Sequence, residues 1–340
     1  MLNNCFWYRV RLWLLLIGSP LSFCLLAFSI TPLLRSQSDG PLRAAPRHES
    51  TGTNPGDTRI KPLRVDVNVV LVPVVVADAM NHPILGLEKQ NFVLSDNDEQ
   101  KEIQYFSAED SPISVGLLVD VSKSMTDKID AEREAISEFF KNANSEDDYF
   151  VVAFSSHPEM LTDVTQSIGT IQAKLGAVVP NGSTAMLDAI SVGMTRLRSA
   201  KYRRRALLII SDGGDNNSHH KYREIKSLVR DSDVEVYAIG LFDAAFFKTY
   251  EEFMGKKWLS EITDATGGRT VTVDNVSKMG DAAAAISTEM RSQYILGYRP
   301  SNVDSDGKRR QIKVRVINPA TSDAQLQAYY KRGYVIPKEK

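Results

Sequence analysis

Ile113-Ser114-Val115-Gly116-Leu117-Leu118-Val119-Asp120-Val121-Ser122-Lys123-Ser124 decides how the rest of the chain is read. Its first seven residues are a short apolar run that reads as a buried strand. Ile129, Ile136, Phe139 and Phe140 follow at spacings that mark one face of a helix. Asp120, Ser122 and Ser124 therefore fall in the turn at the carboxyl end of a strand, the edge where ligands bind in open α/β sheets. An acid and two hydroxyls on one short loop are hard oxygen donors, which suit Mg²⁺ or Mn²⁺ and not a soft metal.

Working outward, strands are expected at 115–119, 149–154, 206–211, 234–239 and 269–273. Helices are expected at about 127–142, 167–178, 185–199, 220–230, 256–266 and 277–291. This alternation over 112–291 implies an α/β fold, a doubly wound and mostly parallel sheet covered on both faces. The flanks read differently. Residues 63–111 alternate as β, with turns at Asn81-His82-Pro83 and Asp96-Asn97-Asp98-Glu99. Residues 292–337 return to β in Tyr294-Ile295-Leu296-Gly297-Tyr298, Gln311 to Ile317 and Gln327 to Tyr330, separated by Asn302 to Gly307 and Asn318-Pro319. Neither flank is long enough for a good core alone. They are expected to pair into one small β-sandwich into which the α/β domain is inserted; the alternative is two separate β extensions.

The ends and the composition narrow the setting. Arg9 and Arg11 precede Leu12 to Leu34, 23 residues without a charge. Residues 1–35 read as a signal peptide or an N-terminal membrane anchor, with the body exported in either case. Residues 36–62, rich in Ser, Thr, Gly, Pro and Arg, read as a flexible linker. Both cysteines, Cys5 and Cys24, lie in the leader, so the body can form no disulfide and no thiolate metal site. Lys plus Arg is 41 against 42 for Asp plus Glu, which gives no electrostatic case for nucleic-acid binding.

Two further segments extend the oxygen-rich turn. Asn181-Gly182-Ser183-Thr184 is a loop opening a helix, and Ile209-Ile210-Ser211-Asp212-Gly213-Gly214 is a strand ending in Asp. If the strands ending at Asp120 and Asp212 are neighbours, Asp120, Ser122, Ser124, Thr184 and Asp212 converge. Helix capping accounts for hydroxyls at such places but not for Asp at two strand ends.

With Asp120-x-Ser122-x-Ser124, then Thr184, then Asp212 in Ser-Asp-Gly, and Met125 after the second serine, the stretch 113–291 resembles the von Willebrand factor type A domain with its metal-ion-dependent adhesion site. The layout of leader, β segment, this domain and a Tyr-x-Leu-Gly-Tyr tail is similar to a bacterial family of exported proteins related to that domain. The resemblance implies that Ser122, Ser124 and Thr184 offer hydroxyl oxygens directly to Mg²⁺ or Mn²⁺. Asp120 and Asp212 would act through water or as acceptors behind the serines, and an Asp or Glu of a protein partner would fill the open position. It also implies a non-enzymatic adhesion module of the periplasm or cell surface, held to the membrane only through residues 12–34. In related domains the last helix moves with the metal loop; here that helix is about Ser277 to Arg291, leading into the tail strand.

The alternatives are a metal-dependent hydrolase of phosphate or ester groups and a structural envelope component with a stabilising metal. Ser122 stands where a haloacid-dehalogenase site needs a second Asp, and neither Gly-x-Ser-x-Gly nor Gly-x-x-x-x-Gly-Lys occurs. Asp188, Asp215, Asn216 and Asn217 read as a solvated rim, and His219-His220 as a solvated pair at a helix start. Glu146-Asp147-Asp148 reads as an exposed turn, and Lys201-Tyr202-Arg203-Arg204-Arg205 as a solvated basic loop.

Overall fold

The computed structural model describes residues 69–242, 250–301, 308–317 and 326–335. The leader at 1–35, the linker at 36–62, the start of the first β segment and the turns at Asn302 to Gly307 and Asn318-Pro319 lie outside the described residues.

In chain order the first β segment forms β1 (Val70–Ala77), β2 (Phe92–Asp96), β3 (Glu99–Lys101) and β4 (Tyr105–Ser107). Then come β5 (Ile113–Asp120), α1 (Ile129–Phe140), β6 (Asp148–Phe154), β7 (Pro158–Thr165), α2 (Ile168–Gly176), α3 (Met186–Leu197), β8 (Arg204–Ser211), α4 (Tyr222–Arg230), β9 (Glu235–Leu241), α5 (Tyr250–Asp264), β10 (Thr270–Val273) and α6 (Met279–Arg291). The tail forms β11 (Tyr294–Tyr298), β12 (Arg309–Val316), β13 (Gln327–Tyr330) and β14 (Gly333–Val335).

The central sheet runs β10-β9-β8-β5-β6-β7. Its first five strands are parallel, and β7 is an antiparallel edge. Every residue of β5 is buried, because helices cover both faces. Ile113, Val115, Leu117 and Val119 join the core under α1, α2 and α6. Leu118 turns the other way, into the core under α3, α4 and α5. Each such aliphatic side chain contributes about 1.5–3 kcal/mol by leaving water. The doubly wound sheet expected from the alternation is therefore present. β7 was not expected: Pro-Glu-Met-Leu-Thr-Asp-Val-Thr carries no apolar run, because an edge strand with most residues at least partly exposed needs none.

The two β flanks form two four-stranded antiparallel sheets, β13-β1-β11-β4 and β14-β12-β2-β3. Each sheet takes strands from both flanks, so neither flank closes alone. The period of two along β11 sends Tyr294, Leu296 and Tyr298 into a shared core with Val72, Val74, Leu94 and Ile312. The buried phenols find acceptors: the Tyr298 hydroxyl donates to Asp96 Oδ2 at 3.0 Å and that of Tyr294 to the Ile84 carbonyl at 2.8 Å.

Charged side chains pin the two crossings between the β flanks and the central α/β segment. Asp147 accepts from the Ile113 amide at 2.9 Å, from the Tyr149 hydroxyl at 2.9 Å and from Arg291. Arg291 also reaches Asp110 at 3.0 Å, and Arg204 donates to the carbonyls of Ser111 and Met290. Asp147 and Asp148 are thus buried and Arg204 is a clamp, which corrects the exposed turn and solvated loop at those three residues, while Glu146, Lys201 and Arg203 are exposed as expected. Local sequence showed charges near strand ends, but their partners lie far along the chain.

Candidate metal centre

Asp120 closes β5 and is fully buried. Its Oδ1 accepts the Ser122 amide at 3.0 Å, which folds the chain back on itself, and its Oδ2 accepts the Ser211 hydroxyl at 2.6 Å. The Ser122 and Ser124 hydroxyls then lie 3.0 Å apart across a short 3-10 turn at Lys123–Met125, plugged into the core by Met125.

The second loop is laced to the first. The Asn181 amide donates to the Val121 carbonyl at 2.8 Å, and the Lys123 amide to the Gly182 carbonyl at 3.1 Å. The third loop holds Thr184: the Thr184 amide donates to Asn216 Oδ1, and the amides of Asn216 and Asn217 both donate to the Thr184 carbonyl, all at 3.0 Å. A carbon built on Gly214 would lie 3.9 Å from Asp212 Oδ1 and 4.0 Å from Thr184 Oγ1, so those two oxygens border one space. The structure brings Asp120, Ser122, Ser124, Thr184 and Asp212 to the carboxyl edge of adjacent parallel strands β5 and β8 and the loop before α3.

Helix capping does not consume these hydroxyls. The N-cap of α1 is Lys128 and that of α3 is Ala185, and neither makes a side-chain capping bond. The first-turn amides of α3 instead donate across to the third loop, Leu187 to Asp215 Oδ2 at 2.8 Å and Asp188 to Ser218 Oγ at 3.1 Å.

Electrostatically the edge is short of positive charge. Burial, and then the charge of Asp212, push the Asp120 carboxyl up to about 7, against hydrogen bonds from Ser122 and Ser211 that favour its ionised form. The Lys128 ammonium sits on Asp212 Oδ2 at 2.9 Å. Glu132, one turn further along α1, is fully buried. Burial and then the charge of Asp120 hold its carboxyl well above the usual range, against a backbone hydrogen bond at Asp120 that favours the ionised form.

Several residues here escaped sequence reasoning. Glu132 occupies an apolar-face position, in register with Ile129, Ile136 and Phe139, and that misplacement was the available signal. Asp188 is not a solvated rim residue. It is buried and accepts the amides of His219 and His220, while the two imidazole Nδ1 atoms lie 2.9 Å and 2.7 Å from its oxygens. Both rings reach one carboxylate because these histidines precede α4 and are not part of it, so helical divergence does not separate them. Asp215 and Asn216 likewise brace the site loops.

Among the described residues, no three or more His, Cys, Asp or Glu side chains gather as a metal-binding group; the donors gathered here are largely hydroxyls. No helix among them is long and apolar enough to cross a membrane.

Residues 115–214 match the sequence family of the von Willebrand factor type A domain. That stretch of the chain is a domain of this family, in keeping with its doubly wound sheet. No curated protein matches the chain. Among solved structures it is similar to an aerotolerance-related membrane protein from Bacteroides fragilis, with 19% identity and a TM-score of 0.43 over 52% of this chain and 98% of that one. A von Willebrand factor type A protein from Catenulispora acidiphila gives 11% identity and a TM-score of 0.46 over 79% and 72% of the two chains. The PilB minor pilin from Streptococcus sanguinis gives 16% and 0.44 over 55% and 63%.

Proposed function

We propose that the inserted domain is a divalent-cation-dependent protein-interaction module on an exported body, and that Asp120, Ser122, Ser124, Thr184 and Asp212 hold Mg²⁺ or Mn²⁺. The observation that carries this reading is a charge imbalance at a built edge. Asp120 and Asp212 are both buried at this edge, and among the described residues the ion-pair contact recorded there is Lys128 with Asp212. Buried carboxylates persist only when paired or neutral, so the site fits a cation, and the Lys128 ammonium stands in for one.

The chain's own residues divide the work. Ser122, Ser124 and Thr184 offer uncharged oxygens and leave the ion's charge largely uncompensated. Asp120, tied to the Ser122 amide and the Ser211 hydroxyl, fixes where the serines stand. Asp212 exchanges Lys128 for the ion. A bound cation supplies an electrophilic position that an Asp or Glu of a protein partner can fill. Residues 12–34 are the proposed route of export or anchoring to the envelope. Asp120 has the basicity of a general base but not the access, being wholly buried with both oxygens engaged, which weighs against the hydrolase alternative.

The test is thermal unfolding and calorimetry of the full chain in EDTA, then in Mg²⁺ or Mn²⁺. Cation at 100 times its dissociation constant should add about 2.7 kcal/mol, and Asp120→Ala should remove the gain. Capture of acidic peptides should fail in chelator. Neither stabilisation nor binding heat with either ion would sink the reading.

A further inference from the structure

Arg198 and Arg205 stand at the amino edge of the central sheet, the end opposite the candidate metal centre. Arg198 is the C-cap of α3 and Arg205 the second residue of β8. Together with the turn between α4 and β9 they line a cavity of about 480 Å³, walled on its apolar side by Met194, Leu228 and Val234. That size is within the range of small-molecule sites, about 300–1,000 Å³. Among the described residues Arg198 has no hydrogen-bond or ion-pair partner, and Arg205 engages only its Nε, which donates to the Tyr202 carbonyl at 3.2 Å. The terminal amino groups of both guanidinium ions are left over.

The acids of the lining, Asp231 and Asp233, do not answer them, because other cations already do. Arg230 closes on both oxygens of Asp231, with Nε 2.9 Å from Oδ1 and Nη2 3.2 Å from Oδ2. The Lys331 ammonium donates to the Ser232 carbonyl and lies 3.9 Å from Asp233 Oδ1. The Arg309 charge, from β12, also acts on Asp231 and Lys331. Five cations therefore face two acids. The carboxyl ends of α3 and α4 meet here, and each adds about half a negative charge, which leaves a surplus of about two positive charges. Capping of these helix ends accounts for Arg198 and Arg230 but not for Arg205, which belongs to a strand.

We propose that this cavity binds a phosphate monoester: Arg198 and Arg205 take the phosphate oxygens, and the apolar wall takes the rest of the molecule. Near neutral pH a monoester carries about −1.5 to −2 charges, which matches the surplus, whereas a carboxylate carries one. Guanidinium forks suit phosphate oxygens in pairs. Bare phosphate would leave the apolar wall wet. The inference stands apart from the cation reading, since the two sites occupy opposite edges of the sheet.

The experiment is calorimetric titration of the full chain, at one ionic strength, with phenyl phosphate, benzoate and inorganic phosphate. Benzoate keeps the ring with one charge, and inorganic phosphate keeps the charge without the ring. Phenyl phosphate should bind severalfold tighter than either. Arg198→Gln and Arg205→Gln should each weaken it by about tenfold or more, the loss expected of one hydrogen bond to a charged group. Arg203→Gln, exposed nearby and outside the lining, should stay within about twofold. Absence of phenyl phosphate binding, benzoate binding as tight, or an equal loss in Arg203→Gln would overturn the proposal. Binding to anionic vesicles without uptake of phenyl phosphate would overturn it too, by making this edge a basic surface and not a pocket. If Arg205→Gln does not fold, having lost the Tyr202 contact, the exposed Arg198→Gln decides alone.

Discussion

Gly255→Ala should loosen the loop that carries Asp212. Gly255 lies in α5 directly against Gly213, and a Cβ at 255 would stand 1.3 Å from the Gly213 carbonyl oxygen and 2.2 Å from its carbon. Both contacts are backbone, so no side chain can swing aside. Nor can the loop retreat freely: Gly213 has φ +83°, and the Phe242 ring closes its other side, 2.4 Å from a Cβ built there. Two effects oppose each other. Alanine inside a helix gains about 0.5–1 kcal/mol over glycine. Restoring a 3.0 Å contact requires helix and loop to part by about 1.7 Å, and overpacking of this kind costs about 1–3 kcal/mol, more when backbone must move. The steric cost wins, and we expect a net loss of about 1–3 kcal/mol, read as a lower urea midpoint at unchanged slope. Because Asp212 immediately precedes the displaced residue, the stabilisation gained from Mg²⁺ should shrink as well. A Gly255→Ala midpoint at or above wild type would refute the reasoning, since propensity would then outweigh a contact that the fold does not maintain.

Arg291→Ala should cost about 3–5 kcal/mol, because it strands the fully buried Asp147 carboxylate; urea melts check this, and wild-type stability would mean that water replaces the guanidinium. Burial raises the Asp188 carboxyl, but hydrogen bonds from His219 and His220 outweigh it and hold the group well below the ordinary 3.8. A lowered folded value means stabilisation fully present above about 3.8 and lost as pH falls through the folded value, so the deficit of Asp188→Asn should be constant from about pH 5 to 7 and shrink in stronger acid. Urea midpoints across that range decide it, and a deficit that grows with acid would contradict the sign. A Cβ at Gly280 would lie 3.2 Å from Glu138 Cγ, close enough for a disulfide in Glu138→Cys with Gly280→Cys. Oxidation should fasten α6 to α1 and lower Mg²⁺ affinity severalfold, with recovery on reduction; equal affinity in both states would show that α6 does not move with the site.

What could be read from the chain beforehand follows from where each signal is stored. β5, β6, β8 and β9 are buried on both faces, so their apolar runs stand out; β7 is an edge and leaves no such trace. The start of α5 at Tyr250, six residues ahead of the expected 256, was hidden because Glu251, Glu252 and Lys256 dilute any apolar stripe there. The placement of Asp120, Ser122, Ser124, Thr184 and Asp212 at one edge could be expected because they lie at strand ends and in the loop before a helix; the metal they are assigned is the proposal above. Asp147, Arg204 and Arg291 were misread or passed over because their meaning is pairwise: each looks like surface charge until the fold brings the others to it. Glu132 was passed over for a different reason, since a single acid on an apolar face is easily averaged into the stripe around it.

One element joins these observations. Lys128, the N-cap of α1, reaches Asp212, and Glu132 in its first turn is buried. Its body packs along α6, where the Ser287 hydroxyl donates to the Phe139 carbonyl at 2.7 Å. α6 ends at Arg291, fixed to Asp147 and Asp110 at the point where the chain enters the inserted domain, and β11 of the sandwich starts three residues later. Packing continuity alone transmits nothing; a component with two discrete positions is required. The disulfide between positions 138 and 280 tests for one directly: a Mg²⁺ affinity that changes on oxidation requires such a component, and one that does not leaves α1 and α6 a rigid brace between site and sandwich.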